Sequence, residues 1–432
     1  MLHTITLVMS NVDGNNNKFW KAEVDDSFNV HVTNGRVGSK GQQQRPKSFG
    51  SEQAALRFVA TKQREKERKG YKVLDVVESN GTVKVNERKV VEQAAKDQIR
   101  TKGNRKDVEG IIEKLIQLNI HSITSQTDIT YDEDTGLFMT PMGVVSLKSI
   151  HEARDLLTTL SDCIVKNSDF TSDKVKEALA SYLMLIPQKV GSRLSVKKVI
   201  PDEEAVHKQN AILDDLESSL EHIEEFREAK EKQAEKDLEI PEIFNCELTL
   251  MDNPEVEEFI KGFYNNTRKS YHASSNLEVN RIFEVTVDGM NNDFDKSGRH
   301  IENVMRLWHG TRAGNILSIL KNGLIIPPSR SGHVTGRMFG DGLYFSDQGS
   351  KSLNYSYGYW DGGSKDDTCY MFLCDVAMGS PYIPQSSYED FPKPRYDSTF
   401  AVAGKSGVIN NEMIVYNTKQ ANIRYLIEFK NK

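Results

Sequence analysis

Residues 336–359, GRMFGDGLYFSDQGSKSLNYSYGY, decide the fold of the C-terminal part of the chain. Glycines crowd a short aromatic run, GLYFS, which is typical of a strand that another group approaches closely. The residues that follow predict a helix on which Ser352 and Tyr355 share one face. Tyr344 and Tyr355 could sandwich a flat ring, and the Ser352 hydroxyl could bond to an amide. The alternative is that both tyrosines are core aromatics.

Two further motifs complete this candidate site. Upstream, LWHGTR places His309 at the end of a predicted strand, where its ring can bond to a ligand hydroxyl, and Gly310 lets a ligand approach the backbone. Downstream, NNEMIVYN places Glu412 at the start of an apolar strand, on the face that carries Ile414. The alternatives are a structural histidine and a solvent-facing strand end.

Length and composition predict several domains. A chain of 432 residues is expected to form about two to four of them. With 38% hydrophobic and 27% charged residues, a disordered or collagen-like chain is excluded. No run approaches about 18 uncharged apolar residues, so we expect no membrane-spanning helix and no membrane partner. MLHTITLVMS lacks the features of a signal peptide, and the four cysteines form no CxxC pair of a zinc site.

Charge is divided unevenly along the chain. Residues 1–106 contain 21 Lys and Arg against 12 Asp and Glu, a net charge of +9, and residues 107–432 have a net charge of −15. A basic N-terminal part predicts an anionic partner, nucleic acid first. A solvated basic surface is the equally open alternative.

Local patterns divide the first 106 residues into two parts. KFWKAEV and FNVHV predict strands, NGRVGSKGQ a turn-rich loop, and SEQAALRFVATKQREKERKG a helix capped by Ser51 and ended by Gly70. Residues 1–80 are therefore predicted to form a small sheet with one helix. Residues 81–106 are polar, without an apolar face, and are predicted to be a linker.

The remainder changes from helix to strand. Residues 107–237 carry four amphipathic stripes and a net charge of −11, from 26 acidic and 15 basic residues, which predicts an acidic helical bundle. In residues 238–432, short β-like runs alternate with glycine-rich turns. Neither GxGxxG after a strand nor GxxxxGK(S/T) occurs, so a Rossmann or P-loop nucleotide site is not indicated.

Together the motifs resemble the poly(ADP-ribose) polymerase family. The strings LWHGTR, NILSILKNGL, PPSRSGHVTGRMFGDGLYFSD, SKSLNY and NEMIVYN keep the order and approximate spacing of its catalytic domain. PMGVVSLKSI and YLMLIPQKVG resemble its helical regulatory domain, and KFW with NGRVGSKGQ resembles its WGR domain. The resemblance implies a multidomain α+β fold: a small WGR-type sheet-plus-helix domain (1–80), a linker (81–106), an all-α helical regulatory bundle (107–237) and an antiparallel-β-rich ADP-ribosyltransferase catalytic domain (238–432).

The resemblance also implies an activity. Members of this family cleave NAD to nicotinamide and transfer ADP-ribose to protein acceptors, including themselves, and to growing chains. The resemblance further implies regulation by DNA ends or breaks and a role in DNA repair. It implies a nuclear location if the protein comes from a eukaryote, and a cytoplasmic or nucleoid location otherwise. NAD is the substrate, and no metal is implied. A mono-ADP-ribosyltransferase and a catalytically silent DNA-end-binding scaffold remain as alternatives.

The family's catalytic and NAD-binding residues carry over to matching positions. His309, Tyr344 and Glu412 complete the triad of polymer-forming members, and Glu412 is implied to bind the nicotinamide-ribose hydroxyl and to stabilise the charge that grows as nicotinamide leaves. The resemblance implies an NAD-binding set of Gly310, Thr311, Asn315, Lys351, Ser352 and Tyr355. Within it, Gly310 and Ser352 hold the carboxamide, and Tyr355 stacks under the nicotinamide ring.

Two positions depart from the family pattern. Asn34 replaces the tryptophan that names the WGR motif and cannot stack on a ribose, and Ile325 replaces an arginine near the donor site. A lost stacking contact is worth about 1–3 kcal/mol. The nucleic-acid-binding residues that remain are predicted to be Arg36, Lys40, Lys47 and Arg57.

Overall fold

The structure is a computed structural model. It describes residues 2–11, 16–37, 39, 41–73, 87–133, 136–140, 143–189, 194–233, 243–326, 338–356 and 368–431. Its contacts divide the chain into two compact units. The first unit contains residues 1–88 and 120–220, and the second contains residues 89–119 and 221–432.

The first unit opens with a six-stranded antiparallel sheet and one helix. The strands are β1 His3–Asn11, β2 Asn16–Val24, β3 Asn29–Arg36, β4 Gln42–Gln43, β5 Lys47–Ser48 and β6 Lys72–Val73, and the helix is α1 Glu52–Glu67. Their order is β4-β3-β2-β1-β6, and β5 also pairs with β3. The predicted cap of α1 is confirmed, because the Ser51 side chain accepts from the backbone N–H of Ala54. Ala55 and Val59, on the predicted stripe, are buried.

Helices dominate residues 87–233. They are α2 Glu87–Gln98, α3 Arg105–Gln126, α4 Leu147–Ser161, a π-helical turn Asp162–Lys166, α5 Asp173–Leu185, α6 Val196–Val199 and α7 Glu203–Gln233. A small antiparallel sheet lies between α3 and α4, formed by β7 Thr130–Asp132, β8 Leu137–Thr140 and β9 Gly143–Val144. The sequence patterns predicted only helices in residues 107–237, and this small sheet was not predicted.

A five-stranded antiparallel sheet is the centre of the second unit. Its strands are β10 Cys246–Leu250, β11 Leu277–Val287, β12 Val304–Gly310, β14 Thr368–Ala377 and β18 Ala421–Asn431, in the order β10-β11-β18-β14-β12. A four-stranded sheet, β13-β17-β16-β15, contains β13 Leu343–Phe345, β15 Pro381–Tyr382, β16 Ser398–Ala401 and β17 Glu412–Val415. The helices are α8 Pro254–Thr267, α9 Asp288–Lys296, α10 Ala313–Asn322 and α11 Gly349–Ser356.

The predicted linker contains a helix that belongs to the second unit. The structure corrects the prediction for residues 87–98, which form α2. Val91, Ala94, Ala95 and Ile99 are buried, so an apolar face does exist. It is narrow and rich in alanine, which explains why the charges of this segment obscured it.

The first half of α3 also belongs to the second unit. Four of its residues, Val108, Ile111, Ile112 and Leu115, are at most 1% exposed and pack in one core with strands of the five-stranded sheet. Lys114 Nζ donates to Thr368 Oγ1 of β14 at 2.7 Å. In the described parts of the chain, no helix is both long enough and apolar enough to cross a membrane.

Candidate active site

His309 and Tyr344 are brought together where β12 meets β13. Trp308 and Ser346 exchange backbone hydrogen bonds of 2.9 and 3.0 Å, which align the two segments. The Nδ1 atom of His309 lies 2.9 Å from the carbonyl oxygen of Tyr344. Because a carbonyl oxygen only accepts, Nδ1 carries the proton in this bond. Burial lowers the pKa of His309, so the ring is neutral and its Nε2 is an acceptor for a ligand hydroxyl.

The side chain of Tyr344 is fixed by its own hydroxyl. That hydroxyl donates to the carbonyl oxygen of Gly340 at 2.8 Å and accepts from the backbone N–H of Phe339 at 2.9 Å. Both bonds are to backbone atoms four and five residues away on the same chain segment. The half-buried ring packs against an apolar cluster that includes Phe339 and Ile414, so its orientation is set and the rest of its surface can contact a substrate.

Gly310 and Ser352 are in close backbone contact. A Cβ atom on Gly310 would lie 1.7 Å from the carbonyl oxygen of Ser352, so only glycine fits here. The Ser352 hydroxyl donates to the carbonyl oxygen of Trp308 at 3.2 Å. Its oxygen retains lone pairs that can accept from an amide NH₂. The structure thus joins these two predicted residues, which are 42 positions apart in the sequence.

A buried ion pair links α11 to β17. Lys351 Nζ lies 2.9 Å from Glu412 Oε1, and the two side chains are 10% and 13% exposed. Burial lowers the pKa of Lys351, while the charge of Glu412 opposes that shift. Lys351 also donates to the carbonyl oxygen of Asn411 at 3.3 Å. The carboxylate of Glu412 is therefore oriented from one side by a cation.

The other predicted NAD-binding residues follow β12, lie in the first turn of α10 or lie near the end of α11. Burial raises the pKa of Tyr355, and the charge of Glu412 adds to the shift, so the phenol is neutral and close to the carboxylate. The backbone N–H of Thr311 donates to Ser356 Oγ of α11 at 3.2 Å. Asn315 Nδ2 donates to Thr311 Oγ1 at 3.3 Å. Ile325, the second predicted departure from the family pattern, is 57% exposed.

Sequence reasoning missed a polar contact behind the ion pair. Asn411 Nδ2 donates to Asp347 Oδ2 at 2.8 Å, and Ser346 Oγ donates to the carbonyl oxygen of Asn411. Asp347 and Asn411 both lie inside the predicted motifs, in the strings FSD and NNE, and this position was the available signal. Within the described ranges, no group of three or more His, Cys, Asp or Glu residues is placed to hold a metal ion.

The predicted nucleic-acid-binding residues do not form one cluster. Arg36 ends β3, whereas Lys47 on β5 pairs near the start of β3. Six strand residues span about 20 Å, which separates the two side chains. Arg57 lies exposed on α1, and Lys40 lies outside the described residues.

A cavity of about 390 Å³ lies beside Arg36. Its lining includes Lys18, Phe19, Asn34 and Tyr71. Lys18 pairs with Arg36 across β2 and β3 and was not predicted from the sequence. The Asn34 Oδ1 atom accepts from Gln44 Nε2 at 2.9 Å, so this residue is fixed within the sheet. The cavity combines two cations with aromatic rings.

Three family models match consecutive parts of the chain. A WGR domain matches residues 3–77, a poly(ADP-ribose) polymerase regulatory domain matches residues 107–240, and a poly(ADP-ribose) polymerase catalytic domain matches residues 255–407. The chain belongs to the poly(ADP-ribose) polymerase family. The catalytic match ends just before Glu412, so the assignment of that residue depends on the geometry above.

Relatives in this family match between about three quarters and nearly all of the chain. The chain is 25% identical to poly(ADP-ribose) polymerase 2 of Arabidopsis thaliana, over 98% of this chain and 72% of that protein. It is 26% identical to poly(ADP-ribose) polymerase 2-A of Oryza sativa, over 99% and 69%. It is 24% identical to poly(ADP-ribose) polymerase 1 of Danio rerio, over 78% of this chain and 35% of that protein.

Family membership settles the function and the fold class. The predicted family, the multidomain α+β fold class and the predicted enzyme, a poly(ADP-ribose) polymerase that is an NAD⁺ ADP-ribosyltransferase, are confirmed. NAD is the substrate of this family.

Proposed function

We propose that polymer synthesis takes place between β12, β13, β17 and α11, with His309, Tyr344 and Glu412 as the catalytic residues. The observation that supports this most is the Glu412 carboxylate, buried and held 2.9 Å from Lys351. A carboxylate in a partly dry site stabilises a developing positive charge far more than it would in water. Glu412 stabilises the anomeric carbon as the bond to nicotinamide breaks.

The remaining residues bind and orient NAD. Gly310 and Ser352 hold the carboxamide, and the ring of Tyr355 stacks on the nicotinamide. The neutral His309 accepts from an adenine-ribose hydroxyl at Nε2, near Thr311 and Asn315. The same Glu412 carboxylate polarises the acceptor hydroxyl of a growing chain, which is general-base catalysis.

Purified protein incubated with NAD tests this function. We expect nicotinamide release together with a ladder of automodified products on a gel. A single modified band would favour mono-ADP-ribosylation, and no release with or without DNA would favour a silent scaffold.

We further propose that DNA ends or breaks regulate the enzyme through the first 80 residues, in a role in DNA repair. Support comes from the WGR match, the net charge of +9 and the cavity that Lys18 and Arg36 flank. Phosphate contacts by such cations depend strongly on salt. Asn34 forms part of the cavity wall where family members carry the stacking tryptophan.

DNA with free ends should raise NAD turnover, and this stimulation should fall as salt rises. Arg36→Ala should weaken DNA binding and reduce the salt slope by about 1, because one phosphate contact is lost. The measurements are nicotinamide release and fluorescence anisotropy with a labelled hairpin DNA at several salt concentrations. Lys148→Ala is the control, since it removes the same charge from the exposed start of α4. Equal activity with and without DNA at every salt concentration would contradict DNA regulation.

We also propose a role for each domain: residues 1–80 bind DNA, residues 107–237 regulate the enzyme, and residues 238–432 catalyse ADP-ribose transfer. We propose that the helices restrain NAD turnover until DNA binds, as a population shift between two states. A deletion that tests this restraint must leave the core of the second unit intact. Residues 108–115 contribute to the core of the second unit, so they must be retained.

Replacing residues 120–220 by a flexible Gly/Ser linker should raise DNA-independent NAD turnover by about 10-fold or more, because a minor open state is populated at roughly 10% or less. Removal of all residues 107–237 is the matched comparison. It should yield poorly folded protein, because it exposes the core around Ile111 and Leu115. A folded 120–220 variant with the basal activity of the full chain would contradict the proposed restraint.

We propose a nuclear location if the protein comes from a eukaryote. The support is membership in a family whose DNA-binding domain occurs here. A fluorescent fusion viewed in living cells tests it, and exclusion from the nucleus would refute it.

A further inference from the structure

The loop between α8 and β11, residues 268–276, is bonded to α11. The hydrogen bonds join Lys269 N to Ser350 Oγ at 2.8 Å, His272 Nδ1 to Ser350 Oγ at 2.8 Å, Ser274 Oγ to the Ser350 carbonyl oxygen at 2.8 Å, and Ser274 N to Asn354 Oδ1 at 3.1 Å. Three of these four bonds end on Ser350. The loop therefore fixes the first turn of α11 through this serine.

His272 forms the side-chain part of this link, and both side chains in this bond are buried. His272 is 7% exposed and Ser350 is fully buried. The ring of Tyr271 packs edge-on against the His272 ring at 4.4 Å. Burial lowers the pKa of His272, an interaction with the Asn410 side chain opposes this shift, and the charges of Lys351 and Lys269 add to it, so the ring is neutral. A neutral imidazole and a hydroxyl can each donate or accept, so the bond forms with either tautomer.

The same loop contacts residues that adjoin both partners of the Lys351–Glu412 ion pair. Ser350 immediately precedes Lys351 on α11. On the other side, the hydroxyl of Tyr271 donates to Asn410 Oδ1 at 3.0 Å, two residues before Glu412. Neighbouring residues of one loop thus contact the segments that carry the cation and the carboxylate. The separation between these two charged groups depends on how the loop is held.

We infer that His272 is a positioning residue for ADP-ribose transfer. Through Ser350 it holds the first turn of α11, and with it Lys351, against Glu412. A misplacement of about 1 Å at a reacting group can cost about 100-fold in rate. The inference depends on the proposed catalytic role of Glu412.

Three substitutions at position 272 test it in the full-length protein. His272→Asn keeps a polar atom near the position of Nδ1, His272→Gln places its amide near the position of Nε2, and His272→Leu removes both. We expect His272→Leu and His272→Gln to lower kcat about 10-fold while KM for NAD changes less than about twofold, because the ion pair acts mainly in the transition state. His272→Asn should recover most of the lost kcat.

A double-mutant cycle tests whether Ser350 transmits the effect. Ser350→Ala removes the same bond from its other side, so the double variant of His272→Leu with Ser350→Ala should be no slower than Ser350→Ala alone. Ser275→Ala is the control in the loop, because the Ser275 hydroxyl bonds to the Ser270 carbonyl oxygen and not to α11. It should leave kcat unchanged.

The outcomes separate this role from a general structural one. Three outcomes would each overturn the positioning role of His272. The Asn variant could be as slow as the Leu variant, or the effects of His272→Leu and Ser350→Ala on kcat could be independent. The third is a raised KM for NAD with unchanged kcat. If His272→Leu fails to fold, the comparison of Asn with Gln decides. Glu412→Gln is assayed in parallel: a normal polymer from that variant refutes the role of Glu412, whereas an impaired Glu412→Gln beside a fully active His272→Leu refutes only the role of His272.

Discussion

Glu412→Gln should abolish long polymer while slow nicotinamide release persists. The substitution keeps the size of the side chain and one acceptor oxygen but removes the charge. Loss of a charged contact that strengthens in the transition state should cost about 2–4 kcal/mol, or about 10²–10³ in rate. Every elongation step needs the same carboxylate, so the loss accumulates with chain length. His309, Gly310, Ser352 and Tyr355 still hold NAD.

The substitution should also lower thermal stability modestly. A carboxylate in an open, wet cleft would contribute little to stability, but Glu412 is mostly buried and paired with Lys351 at 2.9 Å. Glu412→Gln leaves the buried ammonium without its counter-charge, although the amide oxygen can still accept from it. We expect a cost of about 1–3 kcal/mol in the free energy of unfolding. The folded fraction must therefore be measured beside the activity.

Three quantities are measured: polymer length on a sequencing gel, nicotinamide release and Tm. Glu389→Gln is the matched control, because Glu389 pairs with Lys393 at 3.0 Å and has no proposed role in catalysis. It should retain wild-type polymer length. A Glu412→Gln variant that still makes wild-type-length polymer would remove Glu412 from the mechanism.

The outline of the site could be predicted because its residues sit in short contiguous motifs. His309 ends a strand, Tyr344 lies in an aromatic strand, and Glu412 opens an apolar strand, as the local patterns predicted. Each of these assignments depends on neighbours within a few positions. The order of the motifs then indicated the family, and with it which motifs belong together in space.

Contacts between distant segments could not be predicted from these patterns. His272 and Ser350 are 78 positions apart, and Asp347 and Asn411 are 64 apart. Such pairs form only once the sheet brings the ends of its strands together. A lone histidine in a polar loop carries no local signal that its ring is buried beside an active-site helix.

Helix α2 was missed for a related reason. Its buried positions are mostly alanine, a weak apolar signal among many charges, and the helix gains its stability from packing in the core of the second unit. Residues 105–119 illustrate the same limit. Their amphipathic pattern predicted a helix correctly, but it could not show that this half of α3 packs with the β-rich unit.

Gly310→Ala should remove most of the enzyme's activity. The added Cβ would lie 1.7 Å from the carbonyl oxygen and 2.6 Å from the carbonyl carbon of Ser352. Both atoms belong to the backbone of α11, so no flexible side chain can yield. β12 and α11 must separate by about 1 Å or more, and a displacement of that size at an active site costs about 100-fold in kcat/KM.

The kinetic signature should differ from that of Glu412→Gln. Gly310 and Ser352 are the proposed carboxamide contacts, so their separation weakens ground-state binding and raises KM for NAD, whereas Glu412→Gln acts mainly on kcat. Nicotinamide binding should weaken in parallel, and it can be measured from the rise in Tm that nicotinamide causes. The effect on polymer length at saturating NAD should be smaller than for Glu412→Gln.

Gly262→Ala supplies the control for adding a methyl group to the same unit. Gly262 lies within α8, and a Cβ there meets no atom within 4 Å, so alanine should raise stability by about 0.5–1 kcal/mol and leave activity unchanged. Near-UV circular dichroism of Gly310→Ala distinguishes a folded protein with a displaced α11 from an unfolded one. If folded Gly310→Ala kept wild-type KM for NAD, β12 and α11 would not be in the close contact on which the proposed carboxamide site depends. A raised KM for NAD in the folded protein would indicate that glycine is required at this position for NAD binding.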